Sequence, residues 1–434
     1  MKRLIEKQLL NWKNSYDRKP LLVYGARQVG KTYSIVEFGK KNYSNIVYFN
    51  FEGNAALNDI FSKNLVPERI VLELENLSGQ KIFENSTLII FDEIQECERA
   101  LTSLKYFCEE APNYHIIAAG SLLGVAINRG QFSFPVGKIN SITMYPLNFE
   151  EFLMALDRND LIDIIRKSFN DNSPIEEPIH QLILDYYYKY LAIGGMPEVV
   201  STYLKTNDYD YVRIAQNEIE SNYYGDMTKY TDIKESNKIL ATYRSIPSQL
   251  AKDNHKFQYS IIGSGVRARD YEYSLDWLKT AGVVYSCNKV KEGLYPIKMY
   301  EDFTSYKIYM SDIGLFTCSL NINIPSLISG NISSNAKGAI AESYVMQQLV
   351  SNRLNPFYWE SNGKAEVDFV VQLNSSAIPI ECKSADNVQA KSLKLYMQKY
   401  KPKYAIRVSS KNFGFENNIK SIPLYAVFCI QQNN

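Results

Sequence analysis

The chain has 434 residues, 45% of them hydrophobic and 22% charged, with a formal net charge of +1. This is enough apolar material for roughly two to four packed domains, and it excludes a global field that would draw nucleic acid or an acidic membrane, so any such contact must rest on local patches. The six cysteines (Cys97, Cys108, Cys287, Cys318, Cys382 and Cys429) show no C-x-x-C spacing and there are three histidines, which argues against a structural zinc site or disulfide framework and for a reducing cytoplasm.

The opening "MKRLIEKQLLNWK" is amphipathic without a continuous apolar run; it predicts no signal peptide, and no later stretch approaches transmembrane length. From residue 1 to about 155, the short apolar runs "LLVYG", "NIVYFNF", "TLIIFD" and "HIIAAG" alternate with helical segments. This pattern predicts a parallel sheet with helices on both faces.

Directly behind the first run stands "GARQVGKT", Gly25 to Thr32. A turn that wraps a polyphosphate needs glycines where the backbone closes around anionic oxygens. Lys31 can then reach the β- and γ-phosphates, Thr32 can offer its hydroxyl to Mg²⁺, and the next helix presents its positive N-terminal end. The expected nucleotide-binding residues are therefore Gly25, Ala26, Arg27, Gln28, Val29, Gly30, Lys31, Thr32, Tyr33 and, further on, Ser121. The G-x-x-x-x-G-K-T spacing by itself also suits a plain strand-to-helix turn with a solvated lysine.

The run "STLIIFDEIQ" decides between them. Leu88 to Phe91 read as a buried parallel strand whose C-terminal end delivers Asp92 and Glu93 beside the phosphate loop. Asp92 is placed to hold the Mg²⁺ shell, and Glu93 to polarise the attacking water. "HIIAAGSLLG" brings Ser121 to the same edge, where it suits two roles: sensing the γ-phosphate or capping the helix that follows.

"NDNSPIEEP", Asn170 to Pro178, is a polar break followed by mostly helical sequence to about Asn237. From about Lys238 to Leu320, helices give way to two strands, "AGVVYSCNKV" and "SYKIYMSDI", an order compatible with a winged helix. Lys252, His255, Lys256, Arg267 and Arg269 supply local positive charge for DNA, partly offset by Asp253 and Asp270; a wing that serves only packing fits equally. "NINIPSLISGNISSN" reads as a loose linker.

"AEVDFVVQLNSSAIPIECKS" reads as a hairpin turning at Asn374 and Ser375. With that turn, Leu373 faces Ser376 and Asp368 falls opposite Glu381. One face is apolar, and the other gathers Glu366, Asp368, Glu381 and Lys383. Facing acids repel unless a cation lies between them, so a divalent metal, Mg²⁺ or Mn²⁺, is the natural occupant, with Lys383 orienting a water. The same acids also suit a solvated sheet face. The closing basic stretch, Lys391, Lys394, Lys399, Lys401 and Lys403, suits phosphate backbones or an ordinary solvated helix.

"GARQVGKT", "IIFDEIQ", "AAGSLLG" and "MYPLNFEEFL" resemble the AAA-type P-loop ATPase domain found with the uncharacterised domain DUF4143, and "AIGGMPEVV", "IPSQLAKDNHKF", "VRARDYEYSLDWLKTAGVV", "YKIYMSDIGLF" and "AKGAIAESYVMQQL" resemble that second domain. The resemblance implies a prokaryotic ATPase of the two-part family. Relatives carry Gly-Arg where this chain has Gly137 and Lys138, which leaves Arg129 as the nearest candidate for an arginine finger. The hairpin is similar to the core of the PD-(D/E)xK nuclease superfamily. That likeness implies Asp368 and Glu381 as Mg²⁺ ligands, Lys383 as helper of the nucleophile, and Glu342 on the preceding helix as support for the metal.

The expected fold is α/β: a P-loop NTPase parallel sheet, a helical and winged-helix middle region and a C-terminal restriction-endonuclease-like domain. The expected boundaries are 1–155 for the ATPase, 156–236 for a helical lid or connector, 237–325 for the winged helix and 335–434 for the nuclease-like domain, with the DUF4143 region at about 185–385. Expected catalytic residues are Lys31, Glu93, Arg129 and Lys383; expected metal ligands are Thr32, Asp92, Glu342, Asp368 and Glu381. The function expected is an ATP-driven switch coupled to a nuclease-like half acting on DNA or another nucleic acid, with no membrane and with oligomers open; an ATPase that regulates a protein partner through an inactive nuclease fold is the alternative.

Overall fold

The computed structural model describes residues 1–121, 124–125, 134–229, 232–252, 255–361, 365–383 and 391–432. The chain divides into two units, one of residues 2–145 with 280–282, the other of Met1, 146–279 and 283–434.

The first unit is built on five parallel strands, β1 (Leu21–Tyr24), β2 (Asn45–Asn50), β3 (Thr87–Asp92), β4 (His115–Ala119) and β5 (Asn140–Thr143), in the order β2-β3-β4-β1-β5. In β1 to β4 the apolar runs of the sequence are the strands of the sheet. β3 and β4, flanked on both sides, are buried at every residue, whereas the outer strands β2 and β5 alternate toward solvent. β5 escapes sequence reading because "NSIT" carries one apolar residue; it exists because β1 offers it a full register, Leu21 to Tyr24 against Asn140 to Thr143. Helix Pro67–Ser78 starts at a proline and stops at the left-handed Gly79, and Asn54 caps helix Ala55–Ser62 through Leu57 N–H. Phe49, Phe51, Phe61 and Phe91 meet in tilted and edge-to-face pairs at the centre of this core.

The second unit surrounds an eight-stranded mixed sheet with helices. Its strands are β6 (Val284–Val290), β7 (Glu301–Met310), β8 (Phe357–Ser361), β9 (Ala365–Leu373), β10 (Ser376–Cys382), β11 (Ala405–Ser409), β12 (Gly414–Glu416) and β13 (Ile419–Pro423), ordered β12-β13-β11-β10-β9-β8-β6-β7. The strands expected to form a wing do pair antiparallel. They also continue the C-terminal sheet, because β6 runs parallel to β8 with Asn288, Lys289 and Val290 against Phe357, Tyr358 and Trp359. The cause is apolar: Val290 shares one core with Trp359, Val367, Leu393 and Tyr396. Nor is the segment after Leu320 a loose linker. Asn323 caps a short helix, Ile324–Ile328, and Ser333 caps the long helix Ser334–Ser351, so polar residues of the expected linker act as helix starts.

Asp312 ties the middle of this unit together. It is almost wholly buried and accepts hydrogen bonds from the backbone N–H groups of Gly195 (2.6 Å) and Leu315 (3.0 Å). Gly195 lies so close to Leu147 that any side chain there would strike the Leu147 backbone. Burial pushes the Asp312 carboxyl up to about 6 despite those donors.

Candidate functional site

β1 ends in the phosphate-type loop. Gly25 sits at φ 143° and a methyl group there would collide with the Met144 carbonyl oxygen beyond β5, while Gly30 at φ 91° opens helix Lys31–Asn42. Gln28 is also left-handed. Arg3 fastens the loop from behind, donating to Val29 O (2.8 Å) and Tyr145 O (2.6 Å). Lys31, 7% exposed, folds back over the loop and donates to the carbonyl oxygens of Gly25 and Ala26, each at 2.8 Å.

The end of β3 meets this loop. Thr32 Oγ1 donates to Asp92 Oδ2 at 2.8 Å, and Tyr48 on β2 donates to the same oxygen at 2.7 Å. Burial, then the hydrogen bond to Asp92, pushes the Tyr48 phenol well above its ordinary range, so it stays a donor. Glu93 follows in left-handed conformation; its carboxylate accepts from Ser121 Oγ (3.1 Å) and Gln95 Nε2 (2.5 Å). Of the two roles read for Ser121, neither accounts for this contact: its hydroxyl holds Glu93. Tyr48, Gln95 and Arg3 were not singled out from the sequence. Tyr48 had a signal, a polar-tipped residue at the alternate position of an edge strand, whereas Arg3 had none, being joined to the loop only by the fold. Arg129 lies outside the described residues. Lys138 forms a surface pair with Glu109 at 2.8 Å.

In the second unit the hairpin has the expected register, Leu373 opposite Ser376 and Phe369 opposite Ile380, one step short of Asp368 and Glu381. Asp368 Oδ2 accepts from Cys382 N (2.7 Å), and Glu381 Oε1 pairs with Lys383 Nζ (2.6 Å). Glu381 is 3% exposed and its Oε2 has no hydrogen-bond partner. Glu342, also buried, accepts from His255 Nδ1 (2.9 Å), Tyr309 Oη (3.1 Å) and Lys307 Nζ (3.3 Å). Lys307 on β7, fully buried, pairs with Glu366 as well, at 2.6 Å.

These charges sort by their neighbours. Burial alone would push Glu342 up, yet Lys307 and His255 hold it down to about 2; burial and the nearby acids push Asp368 up, and burial pushes Glu381 up against the pull of Lys383. The cluster is therefore an interior network and not a solvated face. Among the described residues no three His, Cys, Asp or Glu side chains converge as a set able to hold a metal ion. Among the described residues the ammonium groups of Lys307 and Lys383 face these acids, with the His255 ring 2.9 Å from Glu342. Lys307 escaped sequence reading, although a lone lysine inside the apolar strand "YKIYM" is a visible anomaly. The basic residues proposed for DNA are partly spent: His255 faces Glu342, Lys256 pairs with Glu360 at 2.7 Å, and Arg269 lies 3.8 Å from Asp270.

Residues 17–153 match the family described as an AAA domain, residues 184–326 a domain of unknown function, DUF8612, and residues 337–427 the domain of unknown function DUF4143. The chain thus combines an AAA-type P-loop domain with a DUF4143 region. No curated protein matches it. Among solved structures it is similar to the Walker-type ATPase PABY2304 of Pyrococcus abyssi, at 15% identity over 74% of this chain and 95% of that one, with a TM-score of 0.46. The ORC2 protein of Aeropyrum pernix with ADPNP and ADP matches at 13% identity over 77% and 92%, with a TM-score of 0.36. The RuvB Holliday junction branch migration motor of Thermotoga maritima matches at 14% identity over 65% and 88%, with a TM-score of 0.30. Among the described residues no helix is long and apolar enough to cross a membrane.

Proposed function

We propose that the chain is an ATP-hydrolysing switch whose first unit binds ATP with Mg²⁺. The observation that carries this reading is the 2.8 Å hydrogen bond from Thr32 to Asp92, which joins the loop of β1 to the end of β3 with Glu93 one residue beyond. Lys31 and the amides from Gly25 to Tyr33 would receive the phosphates. Thr32 and Asp92 would hold Mg²⁺, which when bound supplies charge neutralisation on the phosphate oxygens. Glu93 would take the proton of the attacking water, kept in place by Ser121 and Gln95. Steady-state hydrolysis and nucleotide-binding assays test this: Lys31→Ala should lose binding, and Glu93→Gln should keep ATP while slowing turnover. Undiminished turnover in Glu93→Gln would remove Glu93 from the reaction.

A second reading is cleavage of a phosphodiester at Glu342, Asp368 and Glu381 with Lys383 beside them; among the described residues these acids do not converge as a set able to hold Mg²⁺ or Mn²⁺, and one observation keeps the reading open to test. The buried Glu381 Oε2 is left without a partner, and burial followed by the charges of Glu381 and Glu342 pushes the pKa of the neighbouring Asp368 up. Calorimetric metal titration with a nuclease assay on single-stranded, duplex and branched DNA separates the outcomes: cleavage supports a nuclease, and an inert cluster supports a switch that docks a protein partner.

A further inference from the structure

A cavity of about 360 Å³ opens in the second unit, far in sequence from the P-loop and formed by residues outside the acid cluster. Its walls come from the end of helix Asn159–Asp171, the turn between β9 and β10, the starts of β11 and β13, and the C-terminal residues from Cys429. Leu373 with the rings of Phe169 and Tyr404 makes the apolar lining, closed from behind by the buried Ile378, Ile406 and Ile430. Asn170, Asn374 and Gln431 bring amides, and Lys403 and Lys420 bring ammonium groups. Among the described residues that line it there is no aspartate or glutamate.

Lys420 is the anomaly. Among the described residues its ammonium reaches only neutral groups: it donates to the Phe169 carbonyl oxygen at 2.5 Å and lies 3.7 Å from the centre of the Phe169 ring. Burial lowers its pKa, and Cys429 beside it stays a thiol because burial pushes that group up to about 12. A half-buried ammonium that faces no carboxylate among the described residues is a ready partner for an anion entering the cavity. The volume falls within the range of small-molecule pockets, whose usual make-up is an apolar wall with a few convergent polar groups.

We propose that this cavity binds a small phosphate monoester carrying one planar ring, of mononucleotide size. Lys403 and Lys420 receive the dianionic phosphate, Leu373 and the rings of Phe169 and Tyr404 pack the ligand's ring, and the amides of Asn170, Asn374 and Gln431 meet its polar edge. The site needs nothing from the P-loop, so it stands whether or not the first unit hydrolyses ATP.

The test is calorimetry on the full chain carrying Lys31→Ala, which weakens the P-loop, titrated separately with AMP, UMP, phenyl phosphate, glucose 6-phosphate and inorganic phosphate. Binding of one equivalent of a ring-bearing ester is expected, lost by roughly ten- to hundredfold in Lys420→Met, which keeps the aliphatic stem. Asn374→Asp provides a second variant, since position 374 at φ 53° accepts aspartate without strain and the change sets a negative charge at the mouth. It should weaken binding likewise while circular dichroism stays unchanged. Failure of every ligand to bind at millimolar concentration, or binding indifferent to both substitutions, would overturn the proposal. Glucose 6-phosphate or phosphate binding as tightly as the ring-bearing esters would overturn its planar-ring part.

Discussion

Replacing Lys307 with methionine keeps most of the aliphatic stem and removes one ammonium from the interior of the second unit. That ammonium faces Glu366 at 2.6 Å and Glu342 at 3.3 Å, with no exposure of its own. Breaking a buried ion pair by deleting one partner costs roughly 3–5 kcal/mol, because the other charge is left without compensation. Glu366 is about one-third exposed and recovers water, so most of the loss falls on Glu342, and about 4 kcal/mol is expected near pH 7.5. The loss must depend on pH. In the native chain Glu342 is held below its ordinary value, so its contribution is present above that value and fades as pH falls toward 2. Without Lys307 the carboxyl shifts upward, the folded variant binds a proton more readily, and its stability rises on acidification. The gap between the two proteins should therefore narrow from pH 7.5 to pH 5. Urea unfolding followed by tryptophan fluorescence in a Trp12→Phe background reports on Trp277 and Trp359, both in this unit. Millimolar Mg²⁺ or Mn²⁺ should restore part of the loss if the acids accept a divalent ion. A loss below about 1 kcal/mol, or a gap that does not move with pH, would refute the role given to Lys307.

Tyr48→Phe removes one donor to Asp92 and should slow ATP turnover by about three- to tenfold with ATP affinity kept, read from kcat against KM; a raised KM with kcat unchanged would assign Tyr48 to binding. His115 is buried against Tyr43, and burial, then Arg18 and Lys13, lower it to about 4, so the first unit should lose about 3 kcal/mol as pH falls from 7.5 to 4, a loss absent in His115→Gln and visible at the neighbouring Trp12. Asp312 works in the opposite sense: its folded value of about 6 lies above the unfolded one, so its contribution is full at low pH and about 2 kcal/mol is lost as pH rises from 4 to 7.5, a slope that Asp312→Asn should flatten in urea titrations. If Arg129 acts as a finger between copies, specific ATPase activity should rise with protein concentration, and Arg129→Ala should leave it low and flat.

What the sequence made legible was local. The loop from Gly25 to Thr32, the strand ending in Asp92 and Glu93, and the hairpin about Asn374 each specify themselves within about twenty residues, through glycine placement, apolar runs and a turn of fixed length. What escaped joins distant segments. β5 is a strand because β1 needs a neighbour, Lys307 matters because helix Ser334–Ser351 sets Glu342 against it, and Tyr48 meets Asp92 across two adjacent strands. Arg3 near the start of the chain braces a loop that no spacing rule connects to it.

The pairing of β6 with β8 binds together two stretches that match separate families, 184–326 and 337–427. A gene cut between them would leave one edge of Val284–Val290 unpaired on one side and one edge of Phe357–Trp359 unpaired on the other. Either stretch produced alone should therefore be prone to aggregate through its bare strand edge, and the two should stay soluble only when made as one polypeptide or together.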